Sequence, residues 1–402
     1  MLNDQASSGI ATVLRHERAE QEASLPVDAP SASEGSPLRV LHLIHETSFG
    51  GVEAAAENLR RTLGSGRPTS SPQSGIHYRV AALEASPENV AAVRPDIAGR
   101  SVNSPLAALR LLKEVRREQP DVLVTSLWRA VALGLFSRVL SPRTRWAIWV
   151  HLPRYTHQLD RLVHRWCLPR ADMVLSDAEA TYTTLVRGEL ARAGRSVAHR
   201  VVKPAAGPLP LDHRADPPAR DEPLRLIYWG RMARQKRLDL AIDLVHELDH
   251  LHPGGAELLI IGPDAGERDS LIEHAAKQHL ADRIHIEGPL DRQGLARHAA
   301  NAHAFVQLSD AEGFAMSAHE AIEAGLVSVL TPVGELAADT DDGTNCIHHH
   351  GSIPDTARRL VALVGDPEAF ARMSQAARDS PDDAFISAFT EACRAMAAEQ
   401  PR

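Results

Sequence analysis

Two cationic side chains, Arg231 and Lys236, lie in a short segment that follows Gly230 and precedes a helical pattern. A loop between a strand and a helix offers free backbone N–H groups to an anion. An arginine there binds phosphate through two nitrogens, and a lysine adds a point charge. Because cations oppose the dipole at a helix N-terminus, solubility alone explains them poorly. The segment predicts a diphosphate site.

Two carboxylates, Glu312 and Glu320, belong to the segment EGFAMSAHEAIEAG. We expect Glu312 at a turn between a strand and a helix and Glu320 about one turn inside that helix, so both face one cleft. A carboxylate accepts hydrogen bonds from two hydroxyl groups, which suits a sugar diol. The alternative is an acid favoured by the helix dipole together with a solvated surface acid.

The elements that must position these side chains alternate between strands and helices. The first series of apolar runs predicts strands at 38–44, 77–83, 121–126, 146–150 and 172–176, with helices at 52–63, 105–118, 128–140 and 157–168. A second series predicts strands at 224–229, 256–262, 283–288, 303–309 and 326–331, with helices at 237–249, 267–279, 292–300, 316–324 and 354–364. This order indicates an α/β protein with two Rossmann-like lobes facing each other across a cleft. Ligands of such sheets bind beyond the carboxyl ends of the strands.

The predicted domain boundaries follow changes in composition. The sequence divides into a disordered tail and linker at 1–37, a first lobe at 38–205, a proline-rich linker at 206–222, a second lobe at 223–384 and a last helical segment at 385–402. The tail carries one short helical pattern at 10–22 before its Ser/Ala/Pro/Glu stretch. We leave it out of the fold.

Composition excludes several protein classes. The chain has 402 residues, 44% hydrophobic and 24% charged, which excludes a disordered chain, a collagen-like rod or a small disulfide scaffold. Its three cysteines show no C-x-x-C spacing, so we expect a cytoplasmic protein without a disulfide framework. Neither a secretory signal nor an apolar run long enough to span a membrane is expected. Few aromatic residues are interleaved with the basic ones, which disfavours nucleic acid as a partner.

The net charge of −8 conceals two halves of opposite sign. Residues 38–205 carry 24 Lys+Arg against 14 Asp+Glu, whereas residues 206–402 carry 18 against 32. One interpretation is a basic face that meets anionic lipid at the inner side of a membrane, or a phosphorylated acceptor. The other is attraction between two lobes across their cleft. The sequence leaves both open.

Two motifs resemble metal sites without supporting one. Asp339-Thr340-Asp341 has a D-x-D spacing, but it follows a helical pattern and precedes Asp342-Gly343, which favours a solvated turn. His348, His349 and His350 are consecutive, and consecutive strand residues point to opposite faces. We predict no metal centre.

The order of the motifs resembles the retaining glycosyltransferases of family 4 (glycosyl transferases group 1), which have the GT-B fold. That family has G-R-x4-K after a strand and, about 80 residues later, E-G-F-x5-E-A-x3-G followed by a strand and a Gly-containing loop. The matching residues are Gly230, Arg231, Lys236, Glu312, Gly313, Phe314, Glu320, Ala321, Gly325 and Gly334. The resemblance runs from about Leu38 to the C-terminus and is tighter in the second lobe than in the first.

The resemblance implies a role for each matching residue of the second lobe. Arg231 and Lys236 would hold the donor diphosphate, Glu320 the nucleotide ribose and Glu312 the transferred sugar. The residues implied beside that sugar, or in the loop near the donor phosphate, are Phe314, Ala315, Gly334 and Glu335. Two positions depart from the family pattern, because Glu335 stands where it often has a second glycine and Arg237 where it often has a glycine after the lysine.

In the first lobe the resemblance is carried by a glycine-rich turn and a histidine. Ser48-Phe49-Gly50-Gly51 follows the first strand and would approach the donor phosphates and the acceptor, since glycines permit close backbone approach. His151 follows the strand WAIWV and would lie near the reacting centre. From the residues alone, a plain tight turn and an ordinary loop histidine are the alternatives. In relatives of this fold the last helix crosses back to the first lobe.

The resemblance implies a metal-independent, retaining hexosyltransferase that needs no cofactor beyond its nucleotide-sugar co-substrate. Its partners would be a UDP-, GDP- or ADP-linked sugar and a glycan or lipid-linked acceptor of cell-surface polysaccharide or glycolipid synthesis. The basic first lobe would bind the acceptor and contact the membrane peripherally. Two alternatives stay open: a nucleotide-sugar epimerase of similar shape, and a non-catalytic partner protein with two GT-B lobes.

Overall fold

The computed structural model describes residues 37–48, 50–64, 75–86, 92–207, 209–379 and 384–398. Residues 1–36 of the predicted tail, including the helical pattern at 10–22, lie outside the described residues, as does Phe49. No helix in the described ranges is long and apolar enough to cross a membrane.

The first sheet has seven parallel strands in the order β3-β2-β1-β4-β5-β6-β7. These strands are β1 (Leu38–Ile44), β2 (Ile76–Ala82), β3 (Ile97–Ala98), β4 (Val122–Ser126), β5 (Arg145–Val150), β6 (Met173–Ser176) and β7 (Ala198–Val201). The helices between them are α1 (Gly51–Leu63), α2 (Pro105–Glu118), α3 (Trp128–Leu140), α4 (Gln158–Cys167), α5 (Glu179–Thr181) and α6 (Arg187–Arg192), with a π-helical stretch at Tyr182–Val186 that joins the last two.

The second sheet has six parallel strands in the order β10-β9-β8-β11-β12-β13. They are β8 (Leu224–Trp229), β9 (Ala256–Ile261), β10 (Ile284–Glu287), β11 (Ala304–Gln307), β12 (Val327–Leu330) and β13 (Ile347–His348). The helices are α7 (Leu238–Leu251), α8 (Arg268–Lys277), α9 (Arg292–Asn301), α10 (Met316–Glu323), α11 (Leu336–Asp339), α12 (Ile353–Val364), α13 (Pro367–Arg378) and α14 (Ala384–Ala398).

Helices cover both faces of the first sheet, which is why most residues of its central strands are apolar and buried. On one face α1 packs with α14, whose Phe385 and Phe389 lie against Trp149 of β5. On the other face α2, α3 and α4 bury their inner sides, among them Leu111 and Val131. The last described helix, α14, therefore contributes to the core of the first lobe.

Candidate functional site

A cavity of about 440 Å³ lies where the carboxyl ends of the two sheets meet. The predicted site residues that line it are Gly50, Gly51, His151, Gly230, Arg231, Lys236, Glu312, Phe314, Ala315 and Glu320. Gly334 and Glu335 do not line this cavity. The placement follows from the topology, because loops after parallel strands gather at one edge of each sheet.

Arg231 and Lys236 follow β8 and differ in their surroundings. Arg231 is exposed, and no carboxylate of the described residues lies within ion-pair distance of its guanidinium. Lys236 ends a 3₁₀ turn (Arg234–Lys236), and its Nζ lies 2.6 Å from Oε1 of Glu312. The exposed fractions of these two side chains are only 12% and 7%. An anion in the cavity can therefore contact the Arg231 guanidinium, which pairs with no described carboxylate, and the Lys236 ammonium, which already pairs with Glu312.

The Glu312 carboxylate is held by more than the lysine. Gln307 of β11 donates its amide to Oε1 of Glu312 at 3.2 Å, and Ser317 donates its hydroxyl to the Gln307 carbonyl at 3.0 Å. Gly334, in the left-handed region at φ +61°, packs directly on the backbone of Glu312 and Gly313, where an added Cβ would meet both carbonyl oxygens. Gly334 therefore supports the turn that carries Glu312 instead of lining the cavity.

Glu320 lies on α10, in its second turn, and both of its carboxylate oxygens are engaged. Arg292 of α9 lies 2.8 Å from Oε1, and the indole of Trp229 donates to Oε2 at 3.0 Å. α10 begins after Ala315, which is itself left-handed at φ +59° although it carries a side chain. Such backbone strain costs about 1–3 kcal/mol and persists where the surroundings impose it, typically at binding sites.

His151 ends a chain of buried hydrogen bonds that runs across the first sheet. Its Nε2 lies 2.9 Å from Oγ of Ser126, which lies 2.8 Å from Nε2 of His42, whose Nδ1 lies 2.7 Å from the hydroxyl of Tyr78. Burial lowers the pKa of His151 to about 3 and that of His42 likewise to about 3. The His151 imidazole at the cavity is therefore neutral at pH 7, and its hydrogen bond to Ser126 fixes its orientation.

Asp177 is a cavity residue that the sequence analysis did not single out. It directly follows β6, in the position that His151 has after β5, and its buried carboxylate lies beside Gly313. Burial raises the pKa of Asp177 to about 7. Its position after a buried strand was the signal available in the sequence. The cavity thus holds a carboxyl group that titrates close to neutral pH.

The glycine-rich turn of the first lobe touches the second lobe. Gly51 begins α1, and a Cβ added there would lie 2.9 Å from Sδ of Met316 on α10. A Cβ on Gly50 would overlap the carboxylate of Glu53. Burial raises the pKa of Glu53 to about 8, while the Arg231 guanidinium acts in the opposite direction. Gly51 therefore lies at the contact between the two lobes, whereas Gly50 leaves room for the Glu53 carboxylate of its own helix.

Glu335, expected beside the donor, turns toward the first lobe. Its carboxylate lies 3.1 Å from Nζ of Lys203 and accepts the backbone N–H of Glu179 at 2.9 Å. Lys203 also contacts Asp339 at 2.7 Å, and Asp339 contacts the His319 imidazole at 3.2 Å. The side chain that departs from the family pattern thus belongs to a network of ion pairs that joins the lobes.

One group of side chains in the described ranges has the spacing of a metal site. Ligand atoms of Asp342, His348 and His350 lie within 4.8 Å of one another. Arg359 already pairs with the Asp342 carboxylate, and Nε2 of His348 lies 2.8 Å from the Thr340 hydroxyl. Because the carboxylate is compensated by a guanidinium, we assign no metal to this group.

Comparison with known structures settles the fold. The chain superposes on Anabaena Alr3699/HepE in complex with UDP and glucose with a TM-score of 0.70, at 15% identity over 90% of this chain and 100% of that one. On the lipopolysaccharide outer core galactosyltransferase WaaB it superposes with a TM-score of 0.61, at 18% identity over 89% of this chain and 99% of that one. The fold is GT-B.

Comparison of sequences adds a family match in the second lobe. Residues 211–380 match the family described as Glycosyl transferases group 1. Glycogen synthase of Mycobacterium tuberculosis is 30% identical over 162 residues, which are 40% of this chain and 38% of the relative. A human subunit of phosphatidylinositol N-acetylglucosaminyltransferase is 30% identical over 127 residues, 32% of this chain and 26% of the relative. The chain thus spans less than two fifths of the curated relatives that it matches.

Proposed function

We propose that this GT-B protein is a retaining, metal-independent glycosyltransferase of family 4. It transfers a hexose-type sugar from a UDP-, GDP- or ADP-sugar to a glycan or lipid-linked acceptor of cell-surface polysaccharide or glycolipid synthesis, in the cytoplasm at the inner face of the membrane. The observation that carries the proposal is the cavity between the lobes, where Arg231, Lys236, Glu312 and Glu320 meet His151.

The donor half of the cavity is suited to a nucleoside diphosphate. Cleavage of the sugar–phosphate bond leaves extra negative charge on the diphosphate, and groups that meet this charge lower the barrier. Arg231 has an exposed guanidinium for that purpose, and Lys236 supplies a second cation once the phosphate shares it with Glu312. These two cations take the part that a divalent metal plays elsewhere. Glu320 would bind the ribose hydroxyls.

Glu312 is assigned as a sugar-binding residue and not as a nucleophile. Its Oε1 is already engaged by Lys236 and Gln307. A carboxylate oxygen that is hydrogen-bonded to an ammonium at 2.6 Å is a weak nucleophile, but the other oxygen still accepts a hydroxyl hydrogen bond. Attack of the acceptor from the face of the leaving phosphate, with that phosphate taking the acceptor proton, is the retaining route implied by the resemblance.

The acceptor half belongs to the first lobe. The neutral imidazole of His151 is held by Ser126 through its Nε2, which leaves Nδ1 for a hydroxyl group of the acceptor. A neutral imidazole orients such a hydroxyl without placing a full charge beside it. The relatives support the transfer of a sugar from a nucleotide donor. Alr3699/HepE has been solved with UDP-glucose, and both WaaB and the human relative are named for the transfer of sugars.

The test measures nucleoside diphosphate release from UDP-, GDP- and ADP-sugars by the full chain, with and without membrane extract. The variants Arg231→Ala and Glu320→Ala are compared with Arg234→Ala, a matched cation of the same segment that does not line the cavity. We expect release from one donor that rises with extract, survives EDTA and Arg234→Ala, and falls at least ~100-fold in the other two variants, as when a transition-state contact is lost.

Three outcomes would contradict the proposal. Release that needs a divalent cation would remove metal independence. Conversion of the donor sugar without diphosphate release would indicate the epimerase. Nucleotide binding in a thermal-shift assay, with no release in wild type or variants from any donor, would indicate a non-catalytic partner protein.

A further inference from the structure

The outer sides of α2, α3 and α4 form one continuous surface, which we call the outer face. All three helices cover the same face of the first sheet, and α3 packs between the other two. Their inner sides are buried in a shared core. Their outer sides are thus turned away from both the core and α14, which covers the opposite face of the sheet.

The outer face is unusually apolar. Among the described residues, ten large hydrophobic side chains are exposed, and eight of them belong to these three helices. They are Leu106, Leu109, Phe136, Val139, Leu140, Leu159, Leu162 and Trp166. The exposed fraction reaches 77% for Leu106 and 80% for Val139. Scattered exposed hydrophobics need no explanation, but their concentration on one face marks an interaction surface.

Cations accompany these apolar side chains. On α2 the exposed Arg110, Lys113 and Arg116 have no carboxylate of the described residues within ion-pair distance, and the same holds for Arg161 on α4. The acid of α4, Asp160, is buried on the inner side. The outer face therefore combines exposed hydrophobics with these four cations that no described carboxylate neutralises, as interfacial helices do.

A shallow pocket at the end of α4 adds a feature that a general hydrophobic patch lacks. It has a volume of about 420 Å³ and is lined by three arginines, Arg165, Arg170 and Arg195, together with Trp166. The Arg170 guanidinium lies 5.0 Å from the centre of the Trp166 ring. Guanidinium groups bind phosphate through paired hydrogen bonds, and tryptophan favours the boundary between apolar and polar media. The pocket fits a phosphate headgroup.

The two sides of α4 connect the outer face with the site. On its inner side Asp160 and His164 line a cavity of about 190 Å³ together with Trp149 and His151. On its outer side Leu159 is exposed. A surface bound at the outer side of α4 thus lies one helix away from the histidine of the proposed acceptor half.

We propose that the outer face docks on the surface of an anionic bilayer, with the arginine pocket at the end of α4 holding a lipid phosphate. A second copy of this chain is disfavoured as the occupant, because two identical cationic faces repel each other. The docking surface rests on the proposed function only in taking the acceptor to be membrane-bound. The position of α4 then brings the acceptor half of the cavity to the bilayer.

The test is sedimentation of the full chain with vesicles of phosphatidylcholine alone or with about 30% phosphatidylglycerol, without any donor. We expect binding to the anionic vesicles that weakens as NaCl rises. Each cation near an anionic surface is worth about fivefold in affinity, so Arg165→Ala/Arg195→Ala should bind about 30-fold more weakly. Leu106→Ser/Leu109→Ser should also lose binding. The matched control is Leu251→Ser/Ile272→Ser, two exposed hydrophobics of the second lobe, which should bind like wild type.

Equal binding to both vesicle types, or equal loss in the control, would overturn the proposal. So would a dimer in gel filtration that Leu106→Ser/Leu109→Ser dissociates, because the outer face would then belong to a second copy. The two proposals can be refuted independently. Diphosphate release without vesicle binding would refute membrane docking but not the transferase activity, and vesicle binding without release would refute the transferase activity but not membrane docking.

Discussion

Replacement of Gly334 by alanine should destabilise the protein and displace the turn that carries Glu312. At φ +61° a residue with a Cβ pays about 1–2 kcal/mol for the left-handed conformation. The new Cβ would also meet the carbonyl oxygens of Gly313 and Glu312, which are backbone atoms and cannot swing aside. Overpacking of this kind costs about 1–3 kcal/mol more. The free energy of unfolding should therefore fall by about 2–5 kcal/mol.

Gly351 provides the matched control. It is left-handed at φ +87°, and an added Cβ would find open space, so Gly351→Ala should cost only about 1–2 kcal/mol. Urea unfolding measures both losses, and diphosphate release measures the site. Because the Glu312 turn must shift to admit the Cβ, Gly334→Ala should also lose most of its release, whereas Gly351→Ala should keep it. Equal effects of the two substitutions on stability and on release would refute this account of Gly334.

Three further changes test other parts of the site. Asp177→Asn should flatten the pH dependence of the free energy of unfolding, because a carboxyl with its pKa raised to about 7 stabilises the fold fully below about pH 4 and loses this contribution as the pH rises to 7. In urea unfolding from about pH 4 to 8, the free energy of unfolding of the wild type should decline by about 2–4 kcal/mol more than that of the variant. Parallel curves would contradict this prediction. Lys203→Met should lower the free energy of unfolding by about 1–3 kcal/mol, since it leaves Glu335 and Asp339 without the lysine that pairs with them. Adding Glu335→Gln should restore part of the loss. An unchanged denaturation midpoint in the single variant would show that these ion pairs do not contribute to stability. Glu320→Gln should weaken nucleotide binding about 10- to 100-fold in calorimetry, as expected for hydrogen bonds to a charged group, and unchanged affinity would place the ribose elsewhere.

The sequence predicted the strands that are apolar on both faces. Helices α2 and α3 have the predicted bounds, and β1 and β8 agree residue for residue. Short or half-exposed elements were missed. β3 and β13 have two residues each, too few for any periodicity, and β7 alternates exposed and half-buried positions at the edge of its sheet. The helices at 179–192 and α13 were also missed.

In the candidate site, too, local sequence predicted some features, whereas contacts between distant segments were missed. The motifs of the second lobe, together with the family resemblance for Gly50, Gly51 and His151, predicted ten residues that line the cavity. These residues follow buried parallel strands, and the loops after such strands gather at one edge of the sheet. Spacing did not show that Glu335 faces Lys203, since ion pairs across two lobes depend on the angle between them. Nor did it show Asp177 or the chain from Tyr78 to His151, whose members come from three separate strands and the loop after a fourth.

The packing of α14 on the first sheet has a consequence for dissecting the protein. A fragment that ends after β7 would lack Phe385 and Phe389 and would leave Trp149 and Tyr78 uncovered at the back of the hydrogen-bond chain that orients His151. The first lobe is thus completed only after the second has been synthesised. The acceptor half of the cavity therefore reaches its final form only after residues 384–398 have left the ribosome. Separate expression of the first lobe requires the last helix to be supplied with it, as a fused segment or as an added peptide.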